Sequence, residues 1–245
     1  MDFSYYLISF IAVLTSLAIH EYCHAYAAYK LGDNTAKNLG RLTLNPIKHI
    51  DPFGALCMLI FHIGWAKPVP INARNFKNPK KGFAIAAAAG PLANIVISFI
   101  SVLLYFVVLT AFGNKVYEDG TFTLRLIENT LLFLALFHRI NLGLGIFNLL
   151  PIPPFDGSRI LHIILPPKLY FGIMKYERKI YYGVIIWLIF GDYAASALRM
   201  IPIVRNVPVL NFIVGILDLS NIISTSISFI SGLMIDFWQL FPMFR

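Results

Sequence analysis

Long apolar runs constrain the fold of this chain more than any other feature of its sequence. Residues 5–29, 83–112 and 124–150 form clear runs, residues 180–197 form a shorter one, and residues 207–244 are apolar again. A membrane-spanning helix needs about 20 mostly apolar residues. We therefore predict an all-α polytopic membrane protein with about four to six transmembrane helices, the last region forming either one long helix or two short ones.

The composition of the chain agrees with a lipid environment. Of its 245 residues, 58% are hydrophobic and only 13% are charged, whereas ordinary soluble domains contain about 25% charged residues. A soluble fold of this size has too little interior to hide so much apolar surface. The sequence shows no repeat, low-complexity tract or appended soluble domain, so we expect residues 1–245 to form a single membrane-embedded domain.

The basic side chains of the chain are concentrated in two segments. Nine of them lie within residues 30–81 and four within residues 168–179, whereas the turn at residues 113–121 carries Glu118 and Asp119. The positive-inside rule places such basic loops in the cytoplasm and the N-terminus outside. We expect the plasma membrane of a bacterium. We expect no nucleic-acid binding, because the net charge of +8 comes without a basic helix, zinc finger or stacking motif.

A short motif near the end of the first apolar run combines two histidines and a glutamate. His20, Glu21 and His24 form the pattern H-E-x-x-H, and residues four apart share one face of a helix, so both imidazoles can bind one metal ion. Zinc lowers the pKa of a bound water to about 7, and a neighbouring glutamate can take up its proton and later protonate the leaving amine. The motif therefore predicts a zinc hydrolase with Glu21 as general acid and base.

The alternative interpretation of this motif is a helix end that has reached water, with both histidines at the interface. Ionisable residues inside a membrane span are costly and usually serve a function. The 15 residue steps from Tyr5 to His20 cover about 22 Å of helix, whereas the hydrocarbon core is about 30 Å thick. We therefore expect the metal site inside the bilayer, toward its cytoplasmic side.

A catalytic zinc ion needs a third protein ligand and an open position for water. Asp156 follows the third long run, after Pro151, Pro153 and Pro154, which end the helix, and before Gly157, which frees the backbone. Unwound backbone at membrane depth is tolerated where it lines a polar cavity. The residues alone leave two interpretations open, a metal ligand and a loop aspartate that caps the following helix.

Four motifs of the chain together resemble the site-2 protease family. They are H-E-Y-C-H at residues 20–24, G-W-A-K-P-V-P at residues 64–70, G-P-L-A-N at residues 90–94 and N-L-L-P-I-P-P-F-D-G at residues 148–157. The resemblance covers about residues 5–165, which leaves accessory helices at about residues 180–240. It implies a compact member without a PDZ or CBS domain that cuts membrane-spanning substrates within the bilayer.

The resemblance also implies a cofactor, partners and roles for particular residues. It implies one zinc ion as cofactor, with the lipid bilayer and transmembrane proteins or peptides as partners, and it leaves the oligomeric state open. Asn148 is implied to contact the substrate or the transition state. The implied site residues are the zinc ligands His20, His24 and Asp156, the catalytic residues Glu21 and Asn148, and the substrate-binding residue Pro154.

The segment at residues 66–72 has an extended, proline-rich pattern between the first two spans. A helical peptide bond hides its carbonyl from attack, so a substrate has to unwind before cleavage. We predict that the unwound substrate docks on this segment by β-addition; the alternative is a plain interfacial loop. The preceding run at residues 53–65 is short for a span, which favours a re-entrant or interfacial element. The predicted docking residues are Lys67, Pro68, Val69 and Pro70.

Two other classes of function compete with hydrolysis. A non-catalytic binder of transmembrane segments is expected to lack the glutamate or a ligand, and a metal transporter is expected to carry polar residues along several spans. Here the motif residues are complete and converge on one site. The remaining polar candidates receive no catalytic role: His49, His62 and His162 are interpreted as interfacial or packing residues, Cys57 as a core filler, and His138 and Arg139 are left without a role.

Overall fold

The computed structural model describes residues 3–54, 66–113, 115 and 117–244. Across these residues the regular elements are helices and no β-strand occurs, which confirms the predicted all-α fold. The α-helices are α1 (Phe3–Lys30), α2 (Thr35–Asn38), α3 (Pro79–Phe112), α4 (Phe122–Asn148), α5 (Asp156–Ile164), α6 (Pro167–Met174), α7 (Glu177–Arg199), α8 (Pro202–Asn206), α9 (Pro208–Leu217) and α10 (Leu219–Gln239).

Among the described residues, five helical segments are long and apolar enough to cross a membrane. They are α1, α3, α4, α7 and the segment Asn221–Gln239 of α10, a number within the predicted range. The apolar tail, for which the sequence allows one helix or two, forms α9 and α10. The two helices separate at Asp218, whose carboxylate accepts a hydrogen bond from the Asn221 N–H at 3.1 Å and caps α10.

The boundaries of the first two spans have local causes. Helix α1 ends in a Schellman turn, in which Gly32 takes a φ of 108° and the Asp33 N–H bonds to the Ala28 carbonyl at 2.9 Å. Helix α3 begins after Asn78, whose side chain accepts a hydrogen bond from the Lys81 N–H at 3.1 Å. Local hydrogen bonds therefore set both boundaries.

Helix α3 lies at the centre of the bundle, where it packs against α1, α4 and α5. Its first half buries the small residues Ala86, Ala87 and Gly90, which let neighbouring helices approach closely. Near its start, the Arg159 guanidinium of α5 lies 5.9 Å from the centre of the Phe83 ring. The beginning of α3 therefore contacts both the end of α1 and the start of α5.

An apolar core joins the C-terminal helix to the rest of the bundle. Its buried members come from α3, α4, α10 and the final turn, and they are Val102, Phe106, Leu142, Met234 and Phe244. Many large apolar side chains on the outer faces of the long helices are exposed in the isolated chain. Such faces are expected to contact lipid, so the chain is an integral membrane protein.

The connection between α1 and α3 contains α2 and two short 3-10 turns, Pro46–His49 and Ala73–Asn75. One isolated antiparallel bridge joins Ile50 to Ala66, and this is the β-like feature of the described connection. The predicted re-entrant element falls mostly on residues 55–65, which lie outside the described residues together with Cys57 and His62.

Candidate metal centre and active site

All three motif residues of α1 are buried. His20, Glu21 and His24 are only 5%, 8% and 6% exposed. The Nε2 atoms of His20 and His24 lie 3.0 Å apart, as expected for residues one helical turn apart on one face. The motif therefore lies inside the helix bundle, on one of the candidate membrane spans.

Asp156 lies against both histidines although it follows them by more than 130 residues. Its Oδ2 is 3.2 Å from the Nε2 atom of His20 and 3.1 Å from that of His24. Asp156 is the first residue of α5, whose N-cap is Phe155. The carboxylate thus points from the first turn of α5 to the two histidines.

The turn before Asp156 explains how the chain delivers the carboxylate to α1. Helix α4 ends at Asn148, and the prolines that follow it cannot continue the helix. Gly157 packs directly on the backbone of this turn, because a Cβ at that position would collide with the carbonyls of Leu149 and Leu150. The glycine is therefore required by close approach of two backbone segments.

The hydrogen bonds of the two histidines define which ring nitrogen carries the proton. The Nδ1 atom of His24 lies 2.7 Å from the Ala86 carbonyl oxygen, which can only accept, so Nδ1 donates. The Nδ1 atom of His20 lies 2.5 Å from Oδ1 of Asn94. In the neutral rings both Nε2 atoms then carry a lone pair, and both face Asp156.

This donor set fits a zinc ion. His20, His24 and Asp156 form a group of potential ligands whose ligand atoms lie within 4.8 Å of one another. Three acceptor atoms this close repel one another unless a cation lies among them. Ligand atoms about 2.1 Å from a tetrahedral zinc ion are about 3.4 Å apart, close to the separations of 3.0 to 3.2 Å found here.

Glu21 contacts the predicted docking segment directly. Its Oε2 accepts a hydrogen bond from the Val69 N–H at 2.8 Å. Pro68 and Pro70 have no N–H, so Val69 is the donor between them. The carboxylate is therefore held by one oxygen beside the metal ligands.

The docking segment is itself braced by its surroundings. Arg41 Nη2 donates to the Lys67 carbonyl at 2.6 Å, and the Lys67 N–H donates to the His49 carbonyl at 2.8 Å. The His49 ring contacts the Thr43 carbonyl at 2.8 Å and is buried, in agreement with a packing role. These bonds attach the segment to the connection that follows α1.

Asn148 and Pro154, the other two predicted site residues near Asp156, have no hydrogen bond to the candidate metal ligands among the described residues. Asn148 is half-buried, and its Nδ2 donates to the Leu144 carbonyl of its own helix at 3.0 Å. Pro154 is exposed in the turn before Asp156. Their roles toward substrate stay predictions.

Two residues at the site carry no role in the sequence-based prediction. Asn94 accepts the hydrogen bond of His20, and a Cβ on Gly90 would come within 2.6 Å of His24 Cε1 and 2.9 Å of His20 Cε1. Both belong to the G-P-L-A-N motif at residues 90–94. A buried asparagine within an apolar span is a signal of function that could have identified Asn94.

The histidine in the middle of α4 belongs to a second polar cluster. His138 Nδ1 lies 2.8 Å from Ser98 Oγ and 3.2 Å from the Ser98 carbonyl oxygen, and its Nε2 lies 2.7 Å from Ser231 Oγ. The imidazole thus connects α3, α4 and α10. This gives His138, which the sequence leaves without a role, a place between three helices.

Comparison with known proteins agrees with the site. The sequence profile of Peptidase family M50 matches residues 8–190. A Bacillus subtilis (strain 168) relative with the name "Putative zinc metalloprotease YwhC" is 41% identical over 179 residues, which is 73% of this chain and 77% of the relative. The relative "Putative zinc metalloprotease MJ0611" of Methanocaldococcus jannaschii is 31% identical over 159 residues, 64% of this chain and 70% of the relative. No solved structure matches the chain.

The matched region includes the H-E-x-x-H motif on α1 and Asp156 on α5. Both parts of the candidate zinc site therefore lie within the part of the chain that defines the family. The predicted class of enzyme and its zinc cofactor are confirmed. This chain belongs to peptidase family M50, the site-2 protease family, and is a membrane-embedded zinc metalloprotease.

Proposed function

We propose that this protein hydrolyses peptide bonds within or near the transmembrane segments of membrane proteins. The observation that carries the proposal is the position of the site: His20 and His24 are buried in α1, a candidate membrane span, and lie 3.2 and 3.1 Å from Asp156. A zinc protease site at that depth can reach a substrate that also resides in the bilayer. The substrates we propose are therefore transmembrane proteins or peptides.

We assign His20, His24 and Asp156 as the zinc ligands and Glu21 as the general acid and base. A bound zinc ion makes a water molecule nucleophilic at neutral pH by lowering its pKa. Glu21 accepts the proton of the attacking water while the water oxygen adds to the carbonyl carbon of the substrate. The same carboxyl group then returns the proton to the leaving nitrogen as the C–N bond breaks. The Val69 N–H donates to Oε2 of Glu21, and we assign the proton transfer to the other oxygen, Oε1.

Asn148 is our candidate for steadying the oxyanion that forms on the substrate carbonyl. Amide N–H groups aimed at a developing negative charge accelerate acyl transfer. The Nδ2 of Asn148 donates to Leu144 in the present conformation, so this role requires rotation of the side chain. Substitution of Asn148 by Ala should then lower kcat and leave zinc binding intact; unchanged kcat would rule the role out.

The segment Lys67, Pro68, Val69 and Pro70 remains our candidate for substrate docking, with Pro154 beside the site. Its support is proximity, because Val69 touches the catalytic Glu21. The N–H groups of Lys67 and Val69 are engaged by His49 and Glu21, and Arg41 donates to the Lys67 and Pro68 carbonyls. An incoming strand is therefore proposed to pair with the carbonyls of Val69 and Pro70. Scrambling residues 66–72 should abolish cleavage in a protein that still inserts, and normal cleavage would exclude docking there.

We further propose that residues 1–245 form one domain in a bacterial plasma membrane with the site toward the cytoplasm. The basic residues within 30–81 and 168–179 support this orientation by the positive-inside rule. The apolar core that joins α10 to α3 and α4 supports a single domain. Reporter fusions at residue 120 and residue 175 test the orientation. The reverse pattern, with residue 120 cytoplasmic, would refute it.

The decisive experiment replaces Glu21 by Gln. We expect the variant to retain zinc, since its ligands are unchanged, and to lose cleavage of single-span membrane substrates. Glu128→Gln on the exposed face of α4 is the matched control and should cleave normally. Cleavage by Glu21→Gln at the wild-type rate would remove Glu21 from the mechanism.

A further inference from the structure

A chain of buried amides leads from the candidate zinc site into the helix bundle. Asn94 of α3, Asn141 of α4 and Ser16 of α1 are all 0% exposed. A buried amide inside an apolar span costs free energy unless its hydrogen-bonding groups are paired. Both amides are paired here, and the pairing connects them to a metal ligand.

The distances define a continuous relay. His20 Nδ1 lies 2.5 Å from Asn94 Oδ1, and Asn94 Nδ2 lies 2.6 Å from Asn141 Oδ1. Asn141 Nδ2 lies 2.7 Å from the Phe137 carbonyl oxygen and 2.8 Å from Ser16 Oγ. The relay thus runs from a ring nitrogen through two amides to a backbone carbonyl.

The far end of the relay sets the direction of every hydrogen bond in it. A backbone carbonyl can only accept, so the Asn141 atom that faces Phe137 has to be the NH₂ group. The Ser16 hydroxyl donates to the Ala12 carbonyl at 2.7 Å and therefore also accepts from Asn141. The orientation of this amide, which is otherwise ambiguous in a structure, is fixed by these two acceptors.

The remaining assignments follow in order. With its NH₂ group directed at Phe137, Asn141 presents Oδ1 to Asn94. The Asn94 NH₂ group therefore donates to this oxygen. Asn94 then presents Oδ1 to His20. An oxygen acceptor at that point requires the proton on Nδ1 of His20, and this leaves the Nε2 lone pair for the metal.

We propose that Asn141 is a positioning residue, which sets the tautomer of His20 through Asn94 although it does not touch the metal site. The inference rests on the proposed role of His20 as a zinc ligand. The amides act as a directional pair: if Asn141 loses its polarity, the Asn94 NH₂ group keeps only the long 3.5 Å contact with the Ser16 carbonyl, and the amide can then rotate and present NH₂ to His20. His20 Nδ1 then accepts, and the proton moves to Nε2, where it competes with zinc.

Zinc affinity tests the proposal without reference to cleavage. The zinc-loaded protein in detergent is titrated with a chelator, and the zinc dissociation constant is compared between variants of similar thermal stability. Asn141→Leu removes the amide at similar volume, and we expect zinc binding to weaken by roughly 10- to 100-fold. Ser98→Ala is the matched control, because Ser98 is fully buried on α3 and bonds to His138 outside the relay; its affinity should be unchanged.

A second substitution separates polarity from packing. In the Asn141→Leu background, Asn94→Asp replaces the amide by a group that accepts from His20 in any orientation. We expect this double variant to regain zinc affinity to within about threefold of wild type. Unchanged affinity in Asn141→Leu, equal weakening in Ser98→Ala, or failure of Asn94→Asp to restore binding would each overturn the proposal.

The wild-type protein offers a readout that requires no folded variant. ¹⁵N-histidine NMR of the metal-free protein, at a pH where its histidines are neutral, reports the tautomer of each ring. We expect the proton of His20 on Nδ1, and a proton on Nε2 would overturn the relay. If wild type binds zinc but cuts no membrane substrate, the proposed function fails while these measurements still decide the relay.

Discussion

At the scale of a single residue, the backbone N–H of Val69 holds the Glu21 carboxylate in place. Val69 lies between two prolines, and its N–H holds the Glu21 carboxylate at 2.8 Å. A hydrogen bond to a charged group contributes about 1.5–3 kcal/mol. The segment therefore orients the carboxylate that we propose as the general acid and base, in addition to its proposed contact with substrate.

Val69→Pro removes this donor and should lower kcat by roughly 10- to 100-fold, the kinetic equivalent of that hydrogen bond. Val69→Ala shortens the side chain but keeps the N–H, so it is the matched control for packing. Zinc content should stay at the wild-type level in both. A change confined to KM in Val69→Pro would mean that the residue serves docking and does not orient Glu21.

Gly90 is the second position where a single atom decides the site. A Cβ there would lie 2.6 Å from His24 Cε1 and 2.9 Å from His20 Cε1, so Gly90→Ala should displace both ligands. We expect at least a 10-fold loss of zinc affinity, measured by chelator competition. Gly183→Ala in α7 is the control, because a Cβ there meets open space, and it should bind zinc normally. Normal zinc affinity in Gly90→Ala would show that the two imidazoles do not lie against Gly90.

The residue scale also shows which parts of the site the sequence can predict. His20, Glu21 and His24 form a contiguous motif, and Asp156 follows a proline-rich helix end, so both are recognisable in one dimension. The pairing of Asn94 with Asn141 is not, because their hydrogen bond joins two different helices. Such a pair becomes visible only when the helices are packed.

At the scale of elements, Asp33 fixes the end of α1 to the start of the segment before α3. Its carboxylate accepts hydrogen bonds from the Thr35 N–H at 3.0 Å, the Asn72 N–H at 2.7 Å and Asn75 Nδ2 at 2.7 Å. Burial opposes the charged form, but these hydrogen bonds outweigh it and hold the pKa of Asp33 below its ordinary value of 3.8. The connection is therefore held by an ionised group.

This shift predicts a pH-dependent contribution to stability. Because the pKa of Asp33 is lower in the folded state, its contribution is complete above about pH 4 and is lost as the pH falls through the folded pKa. Asp33→Asn should lower the unfolding temperature by roughly 3–10 °C at neutral pH. The difference from wild type should shrink as the pH is lowered below about 4, measured by thermal unfolding in detergent. A difference that is constant over this range would contradict the prediction.

The membrane-spanning helices were largely predictable, because an apolar run of the required length indicates each one. The three long runs became α1, α3 and α4, and the short run at residues 180–197 became the centre of α7. The division of the tail was not predictable from hydropathy, because Asp218 and its cap decide it locally. The bridge between Ile50 and Ala66 depends on two segments that lie apart in the chain, and no local pattern indicates it.

At the scale of the whole molecule, two separate polar clusters organise the helices. The relay through Asn94 and Asn141 joins α1, α3 and α4 beside the metal site, whereas His138 joins α3 and α4 to α10. The Ser98 carbonyl can only accept, so His138 Nδ1 donates to it, and its Nε2 accepts from the Ser231 hydroxyl at 2.7 Å. The first cluster is expected to serve the metal and the second to attach the C-terminal helix.

Ser231→Ala tests whether the His138 cluster attaches α10 without affecting the metal site. The variant loses one buried hydrogen bond between α4 and α10, and bonds of this kind in membrane proteins contribute about 0.6 kcal/mol and at most about 1.7 kcal/mol. We expect the free energy of unfolding in detergent to fall by that amount, while the zinc dissociation constant stays within twofold of wild type. Ser226→Ala, on the exposed part of the same helix, controls for the loss of a hydroxyl. Weakened zinc binding in Ser231→Ala would show that the two clusters act as one network and that α10 supports the active site.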